Sequence, residues 1–194
     1  FLIDISHGER RHQLLNYSGL IMQPENLQTL LSHPLFRTLP RSGMARLAAV
    51  SRRRRFAPGQ HLWHAGDAAG HLCLVTEGLL QTSVVAASGK VSIIEIIVPG
   101  NICGCRRYFC GGKVSCDVRA ITDTTVQCVP ISGAFDLGKN NPAWFEQIAR
   151  NLALRFTRQI SLRSILAGSA RRKVPGILLW LSESTGATIP LTQS

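Results

Sequence analysis

No stretch of this sequence stays apolar for the roughly 18 residues that a helical membrane span needs. The amino end, Phe1 to Ile21, lacks a basic start followed by an apolar core, which argues against a secretory signal there. It also lacks an initiator Met, and Met22 opens a more protein-like stretch, so residues 1–22 read as an extension upstream of the folded part. Acids are scarce: 11 Asp and Glu stand against 22 Lys and Arg, a formal charge of +11. There is no Ser–His–Asp order, no phosphate loop and no paired acidic site, so the sequence reads as a protein other than an enzyme. What is present is a chain of 194 residues that is 45% hydrophobic, enough for one domain with a real core plus an appendage. The positive excess favours polyanions such as nucleic acid. Its one dense run, Arg52 to Arg55, reads as a solvated helix end, with a DNA phosphate contact as the sharper alternative.

Pro24 to Leu31 and Pro34 to Val50 read as short helices, with Pro34 and Pro40 as interruptions. From Phe56 to Pro130 the pattern changes to short apolar runs divided by turns: His61–His64, Leu72–Val75, Leu79–Val85, Val91–Val98, Val114–Ile121 and Thr125–Pro130. Glycines 59, 66, 78, 89 and 100 mark the corners, where positive φ is expected. Many short strands at even spacing predict a mainly β fold with flanking helices, an antiparallel β-roll of jelly-roll type. Asn141-Pro142 then starts a helix that no Pro or Gly interrupts before Leu166. Phe145, Leu152 and Leu166 recur in steps of seven, with Ala149 and Phe156 between them and Gln159 and Arg163 continuing the spacing. A helix that long cannot bury both sides on one small roll, so the seam predicts a homodimer. Gly168-Ser169 ends it, and Val174 to Leu181 form a further helical segment.

This succession resembles the Crp/Fnr family of transcription regulators from about Leu35 to Gln193. The resemblance rests on Leu35-Phe36, Phe56-Ala57-Pro58-Gly59-Gln60, Ala65-Gly66-Asp67, Leu74-Val75-Thr76-Glu77-Gly78, Ser88-Gly89-Lys90, Pro99-Gly100, Ala120-Ile121-Thr122-Asp123 and Ile189-Pro190-Leu191-Thr192-Gln193, in that order and spacing. It implies an extension over 1–22, a cyclic-nucleotide-binding-like roll over 23–140 and a dimerisation helix over 141–168. Residues 169–194 would begin a winged helix-turn-helix, cut before its reading helix. It further implies a cytoplasmic, homodimeric, allosteric protein that reaches DNA through that downstream element and makes no membrane contact.

In nucleotide-binding members of the family a Gly-Glu pair grips the ribose and an Arg-Ser pair holds the cyclic phosphate. Gly104 falls on the glycine, but Cys105 stands at the glutamate. Ser115 falls on the serine, but Val114 stands at the arginine, and Cys116 follows. The polar pair that touches the base falls near Gln159 and Ile160, so a single Gln remains. The resemblance thus implies a degenerate pocket with cyclic AMP disfavoured and the effector unknown. Arg106 and Arg107 supply charge nearby, but out of the family's register.

Six cysteines without a secretion signal point to reduced thiols. Cys103, Cys105, Cys110 and Cys116 do not have the spacing of a zinc ribbon or finger, and the simplest reading makes them small buried hydrophobes. The alternative is a thiol sensor or soft-metal site in the vacated pocket, with Arg106 and Arg107 lowering a thiol's pKa. His61, His64 and His71 read as surface or turn residues. Two functions from different classes follow: the sensory part of a DNA-binding regulator, or an interaction or thiol/metal-sensing module that never contacts DNA.

Overall fold

The computed structural model describes residues 15–17, 20–168 and 170–186, with side chains from residue 23 onward except those of 107 and 170–172. A short hairpin, β1 (Leu15–Tyr17) and β2 (Leu20–Met22), precedes three helices: α1 (Pro24–Ser32), α2 (Pro34–Arg37) and α3 (Arg41–Val50). The roll follows as β3 (Arg52–Phe56), β4 (His61–Trp63), β5 (His71–Glu77), β6 (Leu80–Val85), β7 (Val91–Ile97), β8 (Ile102–Cys103), α4 (Cys105–Cys110), β9 (Asp117–Ala120) and β10 (Thr124–Pro130). Helices α5 (Ile131–Gly138), α6 (Pro142–Ala167) and α7 (Ala170–Thr185) complete it. No described helix is long and apolar enough to cross a membrane.

Two four-stranded antiparallel sheets face each other, ordered β3-β10-β5-β8 and β4-β9-β6-β7. Their inner faces meet through Phe56, Leu62, Val75, Leu80, Ile97, Val118 and Val126. The five corner glycines all adopt positive φ, between +75° and +97°. At Gly78 the requirement is twofold, because a Cβ there would also strike the Asp123 carbonyl. A second core lies outside the first sheet, where α1–α3, α5 and the start of α6 close over Leu72, Leu74, Ile102 and Val129. Trp144, fully buried, is its largest side chain and packs edge-on to Phe135. A third, small cluster joins α6 and α7 to the roll through Val98, Leu162 and Trp180.

Two expectations need correction here. Arg52 to Arg55 are a strand, not a helix end. Ser51 stops α3 by turning extended, its hydroxyl donating to Ala48 O and accepting from Gln127 Nε2, and the next five residues pair with β10. Nor are all six cysteines thiols. The register of β5 and β10 sets Cys73 directly opposite Cys128, and the two form a disulfide. The spacing of either cysteine in the sequence carries no sign of that register.

At the junction of α1 and α2, His33 caps α2. Its Nδ1 accepts the Leu35 N–H at 3.2 Å while its Nε2 meets Gly100 O at 3.0 Å, which ties the helices to the turn after β7. Burial lowers the His33 pKa below its ordinary value, and the bond to Gly100 opposes this only in part. A base with a depressed folded-state pKa lends stability that is complete above its unfolded value, near 6.5, and is lost as pH falls through the folded value. Protonation would also cost the cap, worth about 1 kcal/mol. Melting temperature should therefore drop between pH 7 and 5 more in the wild type than in His33→Gln. Parallel curves for the two proteins would refute the assignment.

Candidate ligand pocket

The residues expected to form a pocket do come together. Gly104, Cys105, Val114, Ser115, Cys116 and Gln159 all line one cavity of about 660 Å³ between the second sheet, α4, the 111–116 loop and the middle of α6. Most of its wall is apolar: Trp63 from β4, Val84 from β6, Ile97 from β7, Phe109 from α4, and Leu152 and Phe156 from α6.

Gly104 has a reason independent of any ligand. Its φ is +101°, and a Cβ would collide with the His71 carbonyl on the neighbouring strand. Cys105 begins α4 with its side chain in the helical core rather than in solvent. Val114 is half-buried and ties the loop to the β4 turn through backbone bonds to Asp67 and from Gly66.

Arg106, on the first turn of α4, donates from a terminal guanidinium nitrogen to the Ser115 hydroxyl. No carboxylate lies within ion-pair reach of Arg106 among the described residues. The pair Arg106–Ser115 is therefore competent to fork onto an anion at the mouth of the cavity. The call on Arg107's side chain falls outside what the structure describes.

The floor holds a feature that the sequence reading missed. Glu95 of β7, 4% exposed, receives Arg155 of α6 in a two-pronged ion pair, Nε to Oε1 and a terminal nitrogen to Oε2, both 2.6 Å. The remaining terminal nitrogen of Arg155 donates to Ile102 O at 2.6 Å, and Gln159 Nε2 donates to Glu95 Oε2 at 3.2 Å. Burial disfavours the guanidinium charge, but the Glu95 hydrogen bonds and charge outweigh it, and the Arg155 pKa rises. Gln159 is thus engaged inside the protein. Glu95 is paired with Arg155, and its two oxygens already accept three hydrogen bonds.

The four clustered cysteines differ in exposure. Cys103 and Cys105 are buried, Cys116 is half-buried and Cys110 is exposed. Among the described residues no metal-ligand cluster includes any of them. Burial pushes the Cys103 thiol up to about 12, against the pull of the Arg155 charge in the other direction. Burial likewise raises Cys105 and Cys116, although Arg106 and the Ser115 hydroxyl lower the latter in part. At these three thiols desolvation outweighs the nearby cations, which weighs for the reading of small buried hydrophobes and against the alternative of a thiolate activated by Arg106.

The α6 seam also needs redrawing. Phe145 packs on the helical core and Leu166 on the Leu162–Trp180 cluster, both inside this chain. A straight α-helix drifts about 20° per heptad, so three heptads carry Leu166 roughly 60° away from Phe145's face. Along one face in between, Ala149, Leu152, Phe156 and, missed earlier, Ile160 stay exposed.

The fold so described, an antiparallel roll of two four-stranded sheets with flanking helices and the long α6, matches the fold of cyclic nucleotide-binding domains. Residues 53–141 match the cyclic nucleotide-binding domain family. The sensor domain of the transcriptional regulator DNR from Pseudomonas aeruginosa superposes with a TM-score of 0.60 at 18% identity, covering 70% of this chain and 91% of that one. The catabolite activator protein of Thermus thermophilus gives 0.53 at 22% identity, covering 68% of this chain and 63% of that protein. By sequence, a human voltage-gated inwardly rectifying potassium channel is 29% identical over 125 residues, 63% of this chain. The chain spans just 11% of that channel's length.

Proposed function

We propose that this chain is the sensory module of a Crp/Fnr-type transcription regulator, and that its effector is a largely apolar molecule bearing one anionic group rather than a cyclic nucleotide. The observation that carries the reading is the cavity itself. It is lined by the residues that the family resemblance puts at the effector position, and it sets Arg106 against Ser115 where an anion could be held; Cys105 stands at the resemblance's glutamate, and Glu95 is paired with Arg155. DNA contact would come through a helix-turn-helix following α7. The motif Ile189-Pro190-Leu191-Thr192-Gln193 that points to it lies outside the described residues. A module that never touches DNA remains the second reading, and the likeness of this roll to part of an ion channel is what favours it. A thiol or metal sensor built on the four cysteines is disfavoured by the burial of Cys103 and Cys105.

Calorimetry tests the effector class. Cyclic AMP and cyclic GMP should show no micromolar binding, because each lost hydrogen bond to a charged group costs roughly 1.5–3 kcal/mol. Aromatic or medium-chain carboxylates should bind, and Arg106→Ala should weaken them about tenfold or more. Micromolar affinity for either nucleotide would overturn the reading. So would carboxylate binding that ignores Arg106.

A further inference from the structure

We propose that His61, His64 and Asp117 form a binding site for a borderline divalent cation, zinc or nickel. The three residues come from β4, the turn after it and the start of β9, and one ligand atom from each lies within 4.8 Å of the other two. Two imidazoles and a carboxylate suit zinc, nickel or copper better than magnesium or calcium, which prefer all-oxygen shells. Ligands around a tetrahedral zinc, at about 2.0–2.1 Å each, stand roughly 3.3 Å apart, so the cluster needs only a modest contraction. The two rings now stack with centroids 4.1 Å apart. They must splay to aim their nitrogens at one point, and the His64 side chain, 63% exposed, has room to do so. Water would complete the shell.

The carboxylate is already oriented for this task. Asp117 Oδ1 accepts the Ala65 N–H at 2.9 Å, which fixes the side chain toward the histidines, and lies 3.8 Å from His64 Nδ1. The His64 N–H in turn donates to Asp67 Oδ2 at 2.8 Å, which sets the turn that carries the ring. Such outer bonds are what hold metal ligands in position. The site also has a structural address. The 64–67 turn is laced to the pocket loop by Gly66 N to Val114 O and Val114 N to Asp67 O, at 2.7 and 2.9 Å. A cation there would pin β4 to β9 and brace the segment that carries Ser115 and Cys116, so occupancy would stiffen one lip of the cavity.

The test uses the full chain without an affinity tag, in non-chelating buffer, with Ni²⁺ as the probe. Calorimetry should find one ion per chain. Ring ¹H–¹⁵N spectra should show two histidines perturbed, and thermal melting should shift upward. His61→Ala and Asp117→Asn should each weaken binding tenfold or more, and the exposed His64→Ala should do the same with the fold undisturbed. His71→Ala should bind as the wild type does, as should Cys110→Ser combined with Cys116→Ser. No binding up to about 1 mM, retention in the His61→Ala, Asp117→Asn double variant, or loss in the cysteine double variant would each overturn the site.

Discussion

Arg155→Met will lower the melting temperature by about 10 °C. Removing one partner of a buried ion pair strands the other, at a cost of about 3–5 kcal/mol. In a chain of this length each kcal/mol moves the midpoint by roughly 2–4 °C. Glu95 is 4% exposed, and without Arg155 its carboxylate would keep only the single bond from Gln159. The Ile102 carbonyl would lose its donor as well. The companion variant, Glu95→Leu with Arg155→Met, should recover most of the loss, since an apolar pair of similar volume commonly replaces a buried ion pair at little cost. Equal melting temperatures for the wild type and the single variant would show that water reaches Glu95 and that the pair contributes little.

The second large effect concerns assembly. Leu152, Phe156 and Ile160 recur every fourth residue of α6, are 37%, 64% and 54% exposed, and share one face with Ala149. Three large apolar side chains in a row on a helix about 39 Å long favour a second copy of the same helix against them. Leu152→Asp with Phe156→Asp would bury two unpaired charges in such an interface and should convert dimers to monomers. Sedimentation at tens of micromolar (roughly the threshold for a weak dimer) decides the matter. A wild type that is already monomeric there would sink the dimer, and a double variant that remains dimeric would move the interface off this face.

The roll was legible from its punctuation. Glycines at corners divide runs too short for helices, and the structure places a turn at each. The six residues expected at a pocket line one cavity, and they could be named because the spacing of the resembled motifs is readable even where residue types differ. Glu95 and Arg155 were not, although a lone acid in Val91–Ile97, otherwise nearly all apolar, was a usable signal. Nothing local says that such an acid faces inward, and its partner lies 60 residues away on another element. The cysteine pair on β5 and β10 was hidden for the same reason: only the pairing register makes Cys73 and Cys128 neighbours. Periodicity failed differently on α6. A step of seven was right locally, but across three heptads its two ends turned into separate clusters of the chain's own interior. Arg52 to Arg55 have no period to read, because charge tolerates helix end and strand alike.

Those four arginines occupy the outermost strand of their sheet, with β10 on one side and no strand on the other among the described residues. Arg53 is shared between Glu25 and Glu77, and Arg54 lies over the Phe56 ring, 4.9 Å from its centroid. A free row of backbone donors and acceptors is an invitation to another chain, yet here any arriving strand would have to lie against consecutive guanidinium groups. A second copy would bring the same row of arginines to the same line, with only Arg53 offset by neighbouring carboxylates. Such a rim disfavours edge-to-edge joining of two copies through β3.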